Sequence, residues 1–357
     1  MADMKILVTL VLLAMTITGS AQQILKVGVA GLNHDHVYGL MEQYKRGRIK
    51  ILGIAEADTA LQNKYKRRYA LPDSLFYPNV KEMLEHIHPD AVLAYNPISE
   101  HLGVVEACAP KGVSVMVEKP LAVDDAQADR MEALVKQYHI HLLTNYETTW
   151  YPTNQDIYTL VRQDSIGQVR KMVVHDGHQG PKEIGCSPDF LKWLTDPVKN
   201  GGGAIVDFGC YGANLMTWLM GNKPPISVMA ITRHYKPDVY PKVDDDATIV
   251  LEYSNAVGII EASWNWPFGI KDWEVFGDKG YLHAMNGSKL QERKQNDYHE
   301  VPVPAPAYTD NLTYLADVLN GKITGEDDLS SLSNNLIVVK ILDAARRSAK
   351  EGKRIAL

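Results

Sequence analysis

Lys119, Asp207 and Tyr211 are the residues of this chain best suited to moving a proton. Lys119 lies in Glu118-Lys119-Pro120, directly after the run Val113-Ser114-Val115-Met116-Val117. That run reads as a buried parallel strand, and ligands of open α/β sheets bind at the carboxyl ends of such strands. A lysine there, held between a carboxylate and a ring that fixes the chain, is a candidate proton donor. In the second half, Gly201-Gly202-Gly203 leads into a helical stretch where Asp207, Tyr211 and Asn214 fall at i, i+4 and i+7, one stripe of a helix. Such polar groups are costly to bury without partners, and the glycines let a ligand approach the backbone. The chemistry they suit is oxidation of a secondary alcohol. Lysine titrates at about 10.4 and tyrosine at about 10, so each alone is a poor base at neutral pH. Placed together, cationic Lys119 lowers the pKa of Tyr211, which then serves as acid/base. Lys119 orients the alcohol, Asp207 fixes a hydroxyl and Asn214 lines the substrate site.

A hydride acceptor needs its own cradle. After the strand Ile24–Val29 the chain runs Gly31-Leu32-Asn33-His34-Asp35-His36, where a dinucleotide turn would carry three glycines. Only Gly31 remains. Asn33 is the best substitute where positive φ is needed. His36 either donates to a phosphate or partly blocks the site. Glu56 ends the second strand 25 residues after Gly31, close to the spacing of about 20 expected for the acid that binds a ribose diol. A carboxylate there repels a 2′-phosphate, which favours NAD over NADP. His34 and His36 invite a metal reading, but i and i+2 side chains at a helix start diverge and no third ligand is identifiable, so no metal site is expected. Trp150, Trp193, Trp264 and Trp266 suit stacking on a sugar or nicotinamide face, and His178 edges the pocket. Asp244-Asp245-Asp246 reads as a solvated loop.

The elements that must position these groups divide near residues 146–152. Strand and helix alternate from Ile24 to Thr144, with Ser99 as a helix cap, which predicts a doubly wound parallel sheet over residues 22–148. Residues 149–357 carry longer strands separated by turn residues, the pattern of an antiparallel meander. The fold class is thus α/β, a Rossmann domain followed by an α/β domain with a large, mainly antiparallel open sheet.

With 357 residues, 45% hydrophobic and 22% charged, the chain has ordinary globular composition and length for two cores. A net charge of −6 without basic runs argues against nucleic-acid binding. Residues 1–21 combine Lys5, an apolar run and Gly19-Ser20-Ala21, the layout of a secretory signal without a twin-arginine pair. This predicts a periplasmic or secreted protein with no membrane span in its mature part. Cys108, Cys186 and Cys210 have the wrong spacing for zinc and read as packed side chains, although one pair could oxidise.

The conjunction of Glu56, Asn96-Pro97 with His101, Glu118-Lys119-Pro120, the glycine-led Asp207 helix and the closing helix around Ala344–Ala349 resembles the Gfo/Idh/MocA family of NAD(P)-dependent sugar oxidoreductases. The resemblance covers essentially the whole mature chain. It implies that Lys119 binds substrate hydroxyls and assists proton transfer. It also places Asn96, His101 and Glu118 beside the cofactor and makes the open sheet an oligomer interface, in a dimer or tetramer. The family's Asp-x-x-x-His-x-x-Asp is here Asp207, Tyr211 and Asn214. Tyrosine at the second position resembles the glucose-fructose oxidoreductase branch, which holds its nucleotide permanently. The expectation is an exported oxidoreductase with tightly bound NAD, NADP remaining possible, acting on a sugar or glycoside. Redox-assisted glycoside cleavage and non-catalytic carbohydrate binding are the alternatives.

Overall fold

The computed structural model describes residues 24–357, so the expected signal segment lies outside the described residues. The first sheet contains β1 (Leu25–Ala30), β2 (Ile49–Ala55), β3 (Phe76–Tyr77), β4 (Ala91–Ala94), β5 (Ser114–Glu118) and β6 (Leu142–Asn145). Its order is β3-β2-β1-β4-β5-β6 and every pairing is parallel. The strand order therefore reverses between β1 and β4, opening a crevice at their carboxyl ends. Helices α1 (Val37–Lys45), α2 (Thr59–Tyr69), α3 (Val80–His86), α4 (His101–Cys108) and α5 (Asp125–Tyr138) fill the crossovers. Strands β4 and β5 are buried along their whole length, because helices cover both faces. Asp58, Asn79 and Asp124 cap α2, α3 and α5 through their side-chain oxygens. Ser99 is not a cap. A tight turn over Ile98–Glu100 precedes α4, and the Ser99 N–H donates instead to the Lys199 carbonyl.

The chain then builds α6 (Pro152–Arg162), β7 (Val169–Gly177), α7 (Pro188–Leu194), α8 (Ala204–Asp207) and α9 (Gly209–Leu219). Strands β8 (Ser227–Arg233), β9 (Asp246–Glu252), β10 (Val257–Ser263), β11 (Ile270–Gly277), β12 (Tyr281–Ala284), β13 (Leu290–Arg293) and β14 (His299–Val301) follow, then α10 (Asn311–Leu319), α11 (Leu332–Glu351) and β15 (Ile355–Ala356). The nine-stranded order is β14-β13-β12-β11-β7-β10-β9-β8-β15. It is not the simple meander read from the turns. The early strand β7 inserts between β10 and β11, parallel to the first and antiparallel to the second. Insertion carries its carboxyl end, Asp176-Gly177-His178, to the middle of the sheet.

Helices α8, α9 and α11 cover one face of this sheet, and strict alternation of burial along β9 records that sidedness. The opposite face leaves Met229 and Ile231 of β8 about half exposed. Helix α10, capped by Asp310, returns to the first sheet. Its Leu312, Leu315 and Val318 share a core with Val27 and Val29 of β1. No helix among the described residues is long and apolar enough to cross a membrane.

Candidate active site

The carboxyl end of β5 delivers Glu118 and Lys119 to the junction of the two sheets, and the Lys119–Pro120 peptide is cis. Lys119 is buried, and its ammonium donates to the Asp207 carbonyl at 2.9 Å and ion-pairs with the Asp207 carboxylate. The other carboxylate oxygen of Asp207 accepts from Trp264 Nε1 at 3.0 Å. Burial opposes both charges, but each partner's opposite charge outweighs it, so Lys119 is raised and Asp207 lowered from their usual values. A lysine ammonium has three donors. Two are spent on Asp207, and the third remains for a substrate oxygen.

Tyr211 lies one turn beyond Asp207, with Lys119 Nζ 5.0 Å and Lys271 Nζ 4.6 Å from its ring centroid. The expected lowering of its pKa does not occur. Burial comes first and Asp176, Cys210, Glu147 and Asp207 follow, and together they push the phenol well above its ordinary value. Burial is the largest cause and the surrounding acids add to it, while the nearby Lys119 is already paired with Asp207.

Asn214 does not join this cluster. A break at Phe208 separates α8 from α9, so the three polar residues do not share one continuous stripe. The Asn214 amide donates to the Leu329 carbonyl at 2.8 Å and lies within 3.4 Å of Asn335 Oδ1, tying α9 to the start of α11. Nor do the glycines open the backbone to a ligand. A Cβ on Gly203 would collide with the Asp244 carbonyl. Asp244 is no solvated acid either. Its carboxylate accepts from Gly203 N at 2.9 Å and Ile205 N at 2.7 Å. Asp245 is fully buried and accepts from the Tyr235 and Lys236 backbones and Asn265. Asp244 thus holds the segment that leads into Asp207, and Asp245 holds the loop after β8.

At the dinucleotide turn, Gly31 adopts φ +80°, and a Cβ there would stand 2.7 Å from Asn96 Cβ. The Glu56 carboxylate accepts from Leu32 N at 3.0 Å and Asp58 N at 2.9 Å. Burial raises its pKa despite those donors. His36 turns away from the glycine turn and meets Glu118 at 2.9 Å. Burial depresses His36, but Glu118 more than compensates and its pKa is raised. Glu118 also accepts from Asn145 at 2.8 Å, and Asn145 accepts from Trp150 Nε1 at 3.2 Å. Glu118 thus supplies the third group that the sequence did not reveal beside His34 and His36; candidate ligand atoms of all three lie within 4.8 Å. His101 is fully buried, its Nδ1 is 3.1 Å from the Leu121 carbonyl, and burial pushes it down to about 4.

Trp193 belongs to the cofactor turn and not to the proton-transfer cluster. Its indole N–H donates to the Asn33 carbonyl at 3.0 Å, and its ring packs on His34. Ser187 N to Asp35 at 2.8 Å and the Lys64–Asp189 pair at 2.8 Å complete a clasp of α7 over the turn. His178 remains near Asp207, with its ring 4.8 Å from Phe208; burial lowers its pKa although Asp207 opposes this. Trp150 borders a cleft of about 450 Å³ lined also by His36, Tyr95, Glu118, Asn145 and Glu147. A cavity of about 500 Å³ lies on its other side, against Pro304–Tyr308. Sequence reasoning missed Glu147, Asn145 and Lys271, and the Lys271–Glu147 pair at 2.5 Å closes the site beside Tyr211. No local motif marks them. The β5–β6 register sets Asn145 opposite Glu118, and Lys271 reaches Glu147 from β11 of the other sheet.

The description "oxidoreductase family, NAD-binding Rossmann fold" matches residues 24–146, and "GFO/IDH/MocA C-terminal domain" matches residues 154–283. The chain belongs to the Gfo/Idh/MocA oxidoreductase family. Among curated relatives, the trans-1,2-dihydrobenzene-1,2-diol dehydrogenase of Xenopus laevis is 26% identical over 207 residues, 57% of this chain and 58% of that protein. The chain thus spans less than two thirds of that relative's length. The enzyme of the same name from Xenopus tropicalis is 25% identical over 83% of this chain and 88% of that protein. Among solved structures, aldose-aldose oxidoreductase from Caulobacter crescentus, complexed with glycerol, superposes with a TM-score of 0.78. Identity there is 22%, over 94% of this chain and 100% of that one.

The assignment places the chain in an oxidoreductase family with an NAD-binding Rossmann domain over residues 24–146, and the turn fits that cofactor. Gly31 makes the positive-φ turn against Asn96, Glu56 closes that turn from the end of β2, and buried Asn33 Oδ1, Asn96 Oδ1 and His101 Nε2 have no hydrogen-bond partner among the described residues. Those orphaned atoms suit a polar ligand along the carboxyl edge of the sheet.

Proposed function

We propose that the protein oxidises one secondary hydroxyl of a vicinal diol, in a sugar or sugar-like ring, with NAD as hydride acceptor. The observation that carries this is the convergence of Lys119 from the end of β5 with Asp207 of α8 and Tyr211 of α9. Similarity to diol dehydrogenases and to an aldose oxidoreductase supports the substrate class. When bound, the dinucleotide supplies a hydride acceptor. The free donor of Lys119 holds the reacting oxygen and stabilises its alkoxide character, Asp207 keeps that lysine charged, and Tyr211 exchanges the hydroxyl proton. Tightly held NAD, exported protein and pairing through the half-exposed sheet face are parts of the same reading. The clasp of Trp193 and Asp189 over the turn, the residue 1–21 pattern and the exposed Met229 and Ile231 support them in turn.

The test is to denature purified native protein and identify the released nucleotide by absorbance and mass. A panel of cyclic diols and aldoses is then assayed for NADH formation. Released NAD(H) with turnover of a vicinal diol is expected. Absence of nucleotide, and no binding when it is added, refutes the reading and favours simple carbohydrate binding.

A further inference from the structure

Asp176 is a buried acid that the proton-transfer scheme above leaves unused. It is the next-to-last residue of β7 at 2% exposure, and its Oδ1 accepts no hydrogen bond among the described residues. Across the β7–β11 pairing it stands opposite Lys271, so both side chains leave the same face of the sheet. That face is covered by α9, which carries Tyr211, and the Lys271 ammonium lies 4.6 Å from the Tyr211 ring centroid. Its opposite partner on β10 is Ala262, which carries no charge. The charged groups around Asp176 are therefore Lys271 from β11, Lys119 after β5, Glu147 after β6 and Asp207 from α8. Tyr211 and Cys210 lie on α9, the helix packed on β7, and the Asp176 charge raises both of their pKa values.

We propose that Asp176 is the proton reservoir of this site, acting through Tyr211, with Lys271 as the cation that holds its charge. The inference rests on the oxidative reading above. When the substrate hydroxyl transfers its proton to Tyr211 Oη, the phenol's own proton passes through one bridging water to the Asp176 carboxylate, since no direct hydrogen bond joins the two side chains. One O–H bond breaks and one forms at each transfer. The hydride pair leaves the carbinol carbon for NAD, which becomes NADH, and the carbinol becomes a carbonyl. Asp176 goes from anion to neutral acid while Tyr211 stays a neutral phenol. That resolves a difficulty the site otherwise has, because a phenol held well above its ordinary pKa cannot rest as a base. Burial pushes Asp176 up to about 8, with Lys271 and Lys119 opposing, so it can hold or release a proton near neutrality.

The experiment is a pH titration of the protonated-carboxyl infrared band in the NAD-loaded protein, for wild type, Asp176→Asn and Lys271→Met. A band titrating within about one unit of pH 8 is expected in wild type. It should vanish in D176N and titrate at higher pH in K271M, where the facing cation is gone. The pH profile of kcat is measured beside it. Oxidation should rise with pH through the same midpoint in wild type. D176N should lose that inflection and fall roughly tenfold or more, with NAD retention unchanged. Absence of the band, or a D176N enzyme with the wild-type profile, overturns the proposal. The infrared arm needs no substrate. A protein that oxidises no diol but shows the band refutes the oxidative reading and with it the transfer step, while a diol oxidase without the band refutes the reservoir alone.

Discussion

Asp207→Asn tests the centre of the site, because it removes a charge while keeping the shape. The Lys119 and Asp207 side chains are 7% and 8% exposed, so solvent screens the pair little. Losing one partner of a buried ion pair costs about 3–5 kcal/mol. The amide makes matters worse than a simple charge deletion. It has one oxygen, whereas Asp207 accepts separately from Lys119 and Trp264, so one donor must face the amide N–H₂. A loss of about 4 kcal/mol at pH 7 is therefore expected. The pH dependence gives the decisive signature. In the wild type, Asp207 is lowered, so its contribution is full above the unfolded value of about 3.9 and disappears as pH falls through the folded one. Lys119 is raised, so its contribution is full below about 10.4 and disappears as pH rises through the folded value. In D207N the main raising influence is gone and burial lowers Lys119. Its penalty then shrinks as pH rises toward about 10, where the lysine sheds its proton. Denaturant unfolding at pH 7 and near pH 10 measures both. A loss under about 1 kcal/mol at pH 7, or one unchanged at alkaline pH, refutes a buried, charged Lys119–Asp207 pair.

Tyr211→Phe should lower kcat roughly 10²–10⁴-fold with NAD retention intact, as read by NADH formation on the best diol substrate. Gly31→Ala places a Cβ 2.7 Å from Asn96 at φ +80°, and the purified variant should release much less NAD on denaturation than wild type. Asp244→Ala unties Gly203 and Ile205. It should cost about 1–3 kcal/mol in denaturant unfolding and reduce kcat through the displaced Asp207. His101 is held down at about 4 by burial, so its contribution is full above its unfolded value of about 6.5 and is lost as pH falls toward 4. Urea unfolding at pH 7 and pH 4.5 should show wild type losing about 2–3 kcal/mol more than His101→Asn.

The β/α alternation was legible because apolar strand runs recur at the pitch of a crossover, although capping was a poor guide: Ser99 is not a cap, and of the crossover helices only α2, α3 and α5 are capped by a side chain. Lys119 was legible for the same local reason, as the residue that ends such a run. What the sequence concealed depends on contacts far apart in the chain. Asp244 looked solvated because its partners, Gly203 and Ile205, lie about 40 residues earlier. Asn214 matched the helical spacing of Tyr211, but periodicity cannot say that α11 would claim its amide. The tyrosine's pKa rises where its sequence neighbours suggest a fall, because burial and the surrounding acids, which no local motif shows, outweigh a lysine already paired with Asp207.

The placement of β7 connects these separate observations. A meander would have left Asp176 near an edge, where water lowers a carboxyl pKa. Inserted between β10 and β11, the strand buries Asp176 opposite Lys271, whose ammonium lies over the Tyr211 ring. Two lysine–carboxylate pairs, Lys119–Asp207 and Lys271–Glu147, then bracket the phenol. Because both lysines are paired, neither is left to make the phenol acidic. The unpaired acid in this arrangement is Asp176. A site in which the tyrosine conducts a proton and the aspartate stores it follows from that imbalance, and it depends on the two sheets meeting at Lys119.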